Sequence, residues 1–402
     1  MARTHRDDRS MAINFCFDDL GSNPEIGYPN LAAPRLCPDE FDETWPKSIP
    51  LRLLMYLRRG NIRFHSYTVE DAPRGSWYPV ALGWHDHTLD YFSLMRPGVL
   101  DRLRQKHIRV LFYYHEGDNP KTIQKIIDHH AAINVLPHDC YVFISANTMA
   151  DRLDNFLYFG DHEHFFQYIN RGQPYPLIDL HQRPYQFTAL TRTHKWWRAA
   201  IMSDLWRNDL LSQSQWSYNT ECLINDDEKD NPIRIHEFDL WYHSMTQFVN
   251  GGPYICDSPN AHEHNDHRSV NTDLYQKSYC HLVIETHFDA DGSGGSFLTE
   301  KTYKCLKYGQ PFILIGPPGG LQSLRTQGYR VFDHALDNSY DQITDNTQRW
   351  LAIRELIQTL KYQDMHRWFE SCVEDLRHNQ KLFRSRQKPD LLRLAQYLDA
   401  VE

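Results

Sequence analysis

The chain has 402 residues, 41% hydrophobic and 24% charged, with 43 Lys and Arg against 52 Asp and Glu for a formal net charge of −9. That length holds about two or three domains, each able to bury its own core, and the composition excludes low-complexity, collagen-like and fibrous chains. No apolar run reaches the roughly 18 to 20 residues that span a bilayer, the opening MARTHRDDRS is too polar for a secretory signal, and the acidic balance argues against broad coating of nucleic acid.

Residues 1–50 carry Pro24, Pro29, Pro34, Pro38, Pro46 and Pro50 with little periodicity, which predicts an irregular arm. Strands are then expected at 62–67 and 79–84, a helix at 90–106, a strand at 108–114, and a helix at 120–134 opened by Pro120. A strand at 140–146 and a helix at 149–159 close the first series, and a Pro-rich crossing comes next at 174–184. The alternation restarts with a strand at 186–191, a helix at 194–211 and an extended piece at 216–219. Polar loops at 225–233 and 257–273 flank a helix at 238–249. Next come a strand at 280–286, a Gly-rich turn at 289–296, a helix at 300–308, a strand at 311–316, a helix at 319–327 and a short strand at 329–332. The stretch 345–398 reads as helices, with Leu351, Leu356, Ile357 and Leu360 at helical spacing. Strands interleaved with helices predict an α/β chain with parallel sheets.

The segment richest in chemistry is FLTEKTYKCLKYGQPFILIGPPGG, 297–320. It sets Thr299, Glu300 and Lys301 at a helix start, Gly309 near its end, and an apolar strand that stops at Gly316. In open α/β sheets, ligands sit outside the carboxyl ends of strands, near helix N-termini whose N–H groups favour anions. There a carboxylate suits ribose hydroxyls and an ammonium suits a diphosphate. A capped helix with a solvated Glu and Lys is the plainer alternative. A second cationic group, Arg192, Lys195 and Arg198, lies where a strand hands over to a helix.

These segments resemble the donor lobe of nucleotide-sugar glycosyltransferases of the GT-B fold, in particular the fucosyltransferase-like group. The resemblance covers about 186–345 and extends to uncharacterised proteins of phages, large viruses and bacteria. It implies two Rossmann-like lobes facing a cleft. The lobes would be an acceptor lobe at 51–180 and a donor lobe at 181–345, followed by C-terminal helices at 346–402. It also implies a nucleotide-diphosphate sugar as donor substrate with no further cofactor. Thr299, Glu300, Lys301, Gly316, Lys195 and either Arg192 or Arg198 would hold that donor, a guanidinium gripping the pyrophosphate. The run Thr193-His194 departs from the family's arginine motif.

Inverting transfer needs a carboxylate to take the acceptor's proton. Glu116, two residues past the strand 108–114, is the first candidate, with Asp118 or His115 behind it; capping of the next helix is the alternative. His85-Asp86-His87 is a further acceptor-side cluster. The acceptor is expected to be a glycan, a small molecule or a hydroxylated base in viral DNA, with no membrane partner. Arg377, Lys381, Arg384, Arg386 and Lys388 form a basic tail that suits a polyanion or simply a solvated helix face.

His262, His264 and His267, with Glu263 and Asp266, lack a second cluster that would complete a zinc site, so no metal is expected. The eight cysteines show no C-x-x-C pair and read as reduced thiols, consistent with the cytoplasm, or the host cytoplasm for a viral chain. A nicotinamide dehydrogenase lacks its G-x-G-x-x-G. A binding module that keeps the fold without catalysis is the remaining alternative.

Overall fold

The computed structural model describes residues 12–18, 49–82, 95–114, 141–148, 155–191, 193–220, 233, 238–256, 270–289 and 296–400. The chain divides into two compact units, Met1–His164 with Arg386–Glu402 and Phe165–Ser385. The division falls earlier than the expected Pro-rich crossing, and the last helix belongs to the first unit.

In the first unit the elements are β1 (Ala12–Phe17), α1 (Ile49–Arg59), β2 (Arg63–Thr68), β3 (Ser76–Leu82), α2 (Pro97–Arg104), β4 (Ile108–Tyr114), β5 (Tyr141–Ser145) and β6 (Phe156–Tyr158). They form a six-stranded sheet in the order β2-β1-β3-β4-β5-β6, parallel throughout. The irregular arm expected over residues 1–50 is corrected by β1, which lies inside the sheet and pairs with β2 from Ala12↔Arg63 to Phe17↔Thr68. Its residues AINFCF suit a buried strand, Phe15, Cys16 and Phe17 being sealed from solvent, but the run is short and prolines dominate the stretch 24–50 behind it. A second correction is β6, which replaces the end of the expected helix at 149–159. Phe156, Leu157 and Tyr158 are all buried at the sheet edge, a pattern a three-residue apolar run cannot distinguish from helix. Strand β3 also starts three residues before the expected position, because Pro79 lies within it rather than at its head.

Helix α3 (Asp161–Ile169) leads into the second unit, whose elements are β7 (Tyr185–Thr191), α4 (Trp196–Arg207), β8 (Ser214–Tyr218), α5 (Phe238–Asn250), α6 (Thr272–Gln276), β9 (Ser278–Ile284), α7 (Glu300–Tyr308), β10 (Phe312–Ile315) and α8 (Gly320–Thr326). A 3₁₀ turn, Asn338–Gln342, precedes α9 (Asn346–Lys361) and α10 (Met365–Ser385), and α11 (Gln387–Ala400) returns to the first unit. The four strands run parallel in the order β10-β9-β7-β8. Strand β9 is buried at every position, the pattern of a parallel strand covered by helices on both faces.

The strand expected at 329–332 is absent. Asn379 takes its place, accepting from the Arg330 N–H at 2.8 Å and donating to the Arg330 carbonyl at 2.8 Å, so this backbone bonds to a side chain instead of a ladder. The crossing 174–184 is irregular, as expected, and is pinned to the second unit. Arg183 donates to the carbonyls of Tyr275, Gln276 and Ser278 and lies over the Phe369 ring. No helix among the described residues is long and apolar enough to cross a membrane.

Candidate functional site

In the second sheet, β7 has β8 on one side and β9 on the other, so the chain reverses direction across the sheet between them. The carboxyl ends of β7 and β9 are therefore its topological switch point, where open parallel sheets form their ligand crevice. The residue pair that follows β9, Glu285-Thr286, is the hub. Lys195 Nζ donates to the Thr286 carbonyl at 3.4 Å, and Lys301 Nζ donates to Thr286 Oγ1 at 3.3 Å. Two ammonium groups thus flank one residue at the strand end.

Each arrives for a local reason. Lys195 is the residue before α4, in extended backbone (φ −144°, ψ 142°). Lys301 is in the first turn of α7, whose N-cap is Thr299 and whose C-cap is Gly309 at φ 65°. Gly309 is required there twice over, since a Cβ would fall in the left-handed region and lie 2.8 Å from Ile178.

Thr299 does not cap its own helix. Its Oγ1 donates to Glu285 Oε2 at 2.6 Å, and its N–H donates to Glu285 Oε1 at 3.1 Å. Thr302 Oγ1 adds 2.6 Å to Oε1, and the Thr286 N–H adds 3.2 Å to Oε2. The Glu285 side chain, 0% exposed, therefore receives four hydrogen bonds on its two oxygens. No Lys, Arg or His among the described residues forms an ion pair with it. Glu300 instead pairs with Lys301 at 3.1 Å, at the mouth of the same helix.

Arg198 is 4% exposed and donates to the Glu285 carbonyl at 2.8 Å and the Thr193 carbonyl at 3.1 Å. Its guanidinium ties α4 to the end of β9. Gly316, at the end of β10, packs against the same carboxylate side chain, where a Cβ would lie 3.4 Å from that of Glu285. Tyr218 Oη lies 2.6 Å from Nδ1 of His194, and burial raises the Tyr218 hydroxyl.

The six described residues expected to hold a donor, Lys195, Arg198, Thr299, Glu300, Lys301 and Gly316, converge on this strand end. Arg192, Glu116, Asp118, His85 and the His262/His264/His267 loop lie outside the described residues, as do His115 and the expected helix at 120–134. Glu285 and Thr286 were not expected as site residues. The signal for them was present in CHLVIET, a carboxylate directly after an uninterrupted buried strand, where it must find either a ligand or a set of donors.

The neighbouring helix N-terminus, that of α8, is already filled. Asp341 accepts from the N–H groups of Leu321 and Gln322 at 2.9 Å each, and its carbonyl accepts from Gly319 at 2.8 Å. Burial raises the Asp341 carboxyl, and the two N–H bonds pull it back. The glycine-rich turn 316–320 therefore holds an internal carboxylate, as the start of α7 holds that of Glu285. Arg349, buried, donates to carbonyls of Gly316 and Ile343 and is pushed down to about 10 by desolvation.

The basic tail is partly spent within the chain. Arg377 pairs with Glu374 at 2.7 Å, Arg384 lies 4.4 Å over the Tyr175 ring, and Arg386 pairs with Asp390 at 3.0 Å. Among the described residues no group of three or more His, Cys, Asp and Glu is arranged to hold a metal ion. Among the described residues, Cys16, Cys256, Cys280, Cys305 and Cys372 form no disulfide. No protein-family model, curated protein or solved structure matches the chain.

Proposed function

We propose that the chain is a GT-B-type glycosyltransferase that moves a sugar from a nucleotide diphosphate to a hydroxyl acceptor, inverting at the anomeric carbon. The observation that carries this reading is the pair of ammonium groups, Lys195 and Lys301, on either side of Thr286 at the switch point of a parallel sheet. A diphosphate leaving group needs cationic stabilisation in a preorganised setting. Glu300, 14% exposed beside Lys301, has the chemistry to accept from ribose hydroxyls. Arg198, committed to two carbonyls, acts in this reading as the brace that holds the strand ends, which leaves Arg192 as the guanidinium for phosphate.

The acceptor side belongs to the first unit. Glu116 comes two residues after β4 and His85 three residues after β3, and β3 and β4 are neighbours in the sheet. Glu116 is the proposed general base, with Asp118 as its alternate. The acceptor class is a glycan, a small molecule or a hydroxylated base in DNA.

Thermal shift and calorimetry against UDP, GDP, TDP and their sugars test the donor claim, because a ligand of the native state raises its stability. Lys301→Ala should weaken the bound nucleoside diphosphate about tenfold or more, as loss of a charge-assisted hydrogen bond does. Absence of binding by any of these nucleotides would overturn the reading. Glu116→Gln should retain binding and lose transfer. Binding without transfer in the unaltered chain would instead favour a non-catalytic nucleotide-sugar binding module.

A further inference from the structure

We infer that Glu285 is a positioning residue for the diphosphate site, acting on Lys301 through the hydroxyl of Thr299. This inference rests on the donor reading and deepens it. The Thr299 hydroxyl has one proton, and it is committed to Glu285 Oε2 at 2.6 Å. Its lone pairs then face the remaining neighbour, Lys301 Nζ, which donates to it at 3.1 Å. The buried carboxylate thus fixes the direction of the hydroxyl, and the hydroxyl fixes the ammonium.

Thr286 is oriented by the same carboxylate through its N–H at 3.2 Å, and its hydroxyl takes a second Lys301 proton at 3.3 Å. The third Lys301 donor goes to Glu300 at 3.1 Å. Two of the three bonds are anchored in the buried hub, and the third reaches a carboxylate at the helix mouth. An arriving diphosphate can take that third bond without displacing the ammonium.

The geometry around Glu285 leaves little room for a purely local role. Both oxygens are saturated, Thr302 and Thr299 are 0% and 2% exposed, and Gly316 closes the remaining side. A carboxylate buried without a cation is costly unless its bonds are all made, and here they are made with the groups that carry Lys301.

Thr299→Val is the isosteric cut and Thr299→Ser the restoring variant, with Glu285→Gln as an independent break. Thr299→Val should lower affinity for UDP or GDP about tenfold while changing affinity for the nucleoside less than about twofold, and Thr299→Ser should recover most of the loss. In a Lys301→Ala background, Thr299→Val should have no further effect on the diphosphate. Equal losses for nucleoside and diphosphate, or a loss that persists without Lys301, would overturn the relay.

A second readout needs no nucleotide. Exchange of the Lys301 ammonium protons with water, measured by ¹⁵N NMR, should accelerate severalfold in both Thr299→Val and Glu285→Gln. Unchanged exchange in both rejects the relay. If the unaltered chain binds no nucleotide, the donor reading falls, and the exchange experiment still decides the role of Glu285.

Discussion

Lys307 shows how much a single side chain can cost a fold that needs its position. It is 2% exposed, its Nζ donates to the Asn170 carbonyl at 2.8 Å, and it lies 5.2 Å from the Tyr175 ring and 5.5 Å from that of Tyr308. Burial pushes its ammonium down to about 8 from the ordinary 10.5. Between those values the unfolded chain binds this proton while the folded chain has released it, so the contribution of Lys307 to stability rises with pH across that window, opposed at its upper end by the buried thiols of Cys280, Cys305 and Cys372, which burial raises above 9.0. The slope is at most about 1.4 kcal/mol per pH unit. The stability of the unaltered chain relative to Lys307→Met should rise with pH from about 8 to 10, which urea unfolding of both at pH 7, 8, 9 and 10 will measure; a difference independent of pH would show that Lys307 does not titrate there.

At this same scale, the placement of Lys195 and Lys301 at helix starts was legible because each lies in a recognisable run of residues. The donors that satisfy Glu285 were not, since two arrive from Thr299 and one from Thr302, beyond a turn of chain.

Among elements, α7 was readable at both ends, 300–308, because an acidic first turn at Glu300 and a left-handed Gly309 are start and stop signals with a physical basis. Strand β4 was equally plain, as IRVLFYY is dense in branched and aromatic residues. Short elements set by tertiary pairing were not: β1 depends on β2 for its register, and residues 329–332 lose their strand to Asn379.

Helix α8 is the element most dependent on one distant side chain. It has only seven residues, and two of its first N–H groups end on Asp341, nineteen and twenty positions away. Asp341→Ala should cost about 2 to 3 kcal/mol, the penalty for orphaning buried donors of a charged acceptor. Urea unfolding will measure the loss, and Asp341→Asn, which keeps one acceptor oxygen, should lose about half as much. A loss below about 0.5 kcal/mol would show that the turn reorganises without its cap.

At the scale of the molecule, the two-sheet α/β architecture was legible from alternation alone. The path of the tail was not, because α10 and α11 are separated by the single residue Arg386 and only packing assigns them to different units. Helix α11 is built into the first unit by several contacts. Leu391 fills the space over Gly60, where a Cβ would come within 2.8 Å of it. Trp77 Nε1 donates to the Leu398 carbonyl at 3.0 Å, and Arg393 donates to that of Tyr158 at 2.8 Å. A chain ending at Ser385 should therefore become protease-sensitive within 12–164 while 165–385 stays resistant, as mass spectrometry of the fragments will show. Equal resistance of both units would mean that α11 is dispensable.

That last helix also sets an order of events during synthesis. A ribosome delivers β1 first, yet the unit that contains β1 lacks its packing partner α11 until residues 387–400 have emerged. By then every residue of the other unit, 165–385, has already been made. The half of the protein made first is thus completed last, and its open sheet, with apolar strands awaiting cover, is the part that a chaperone would need to shield.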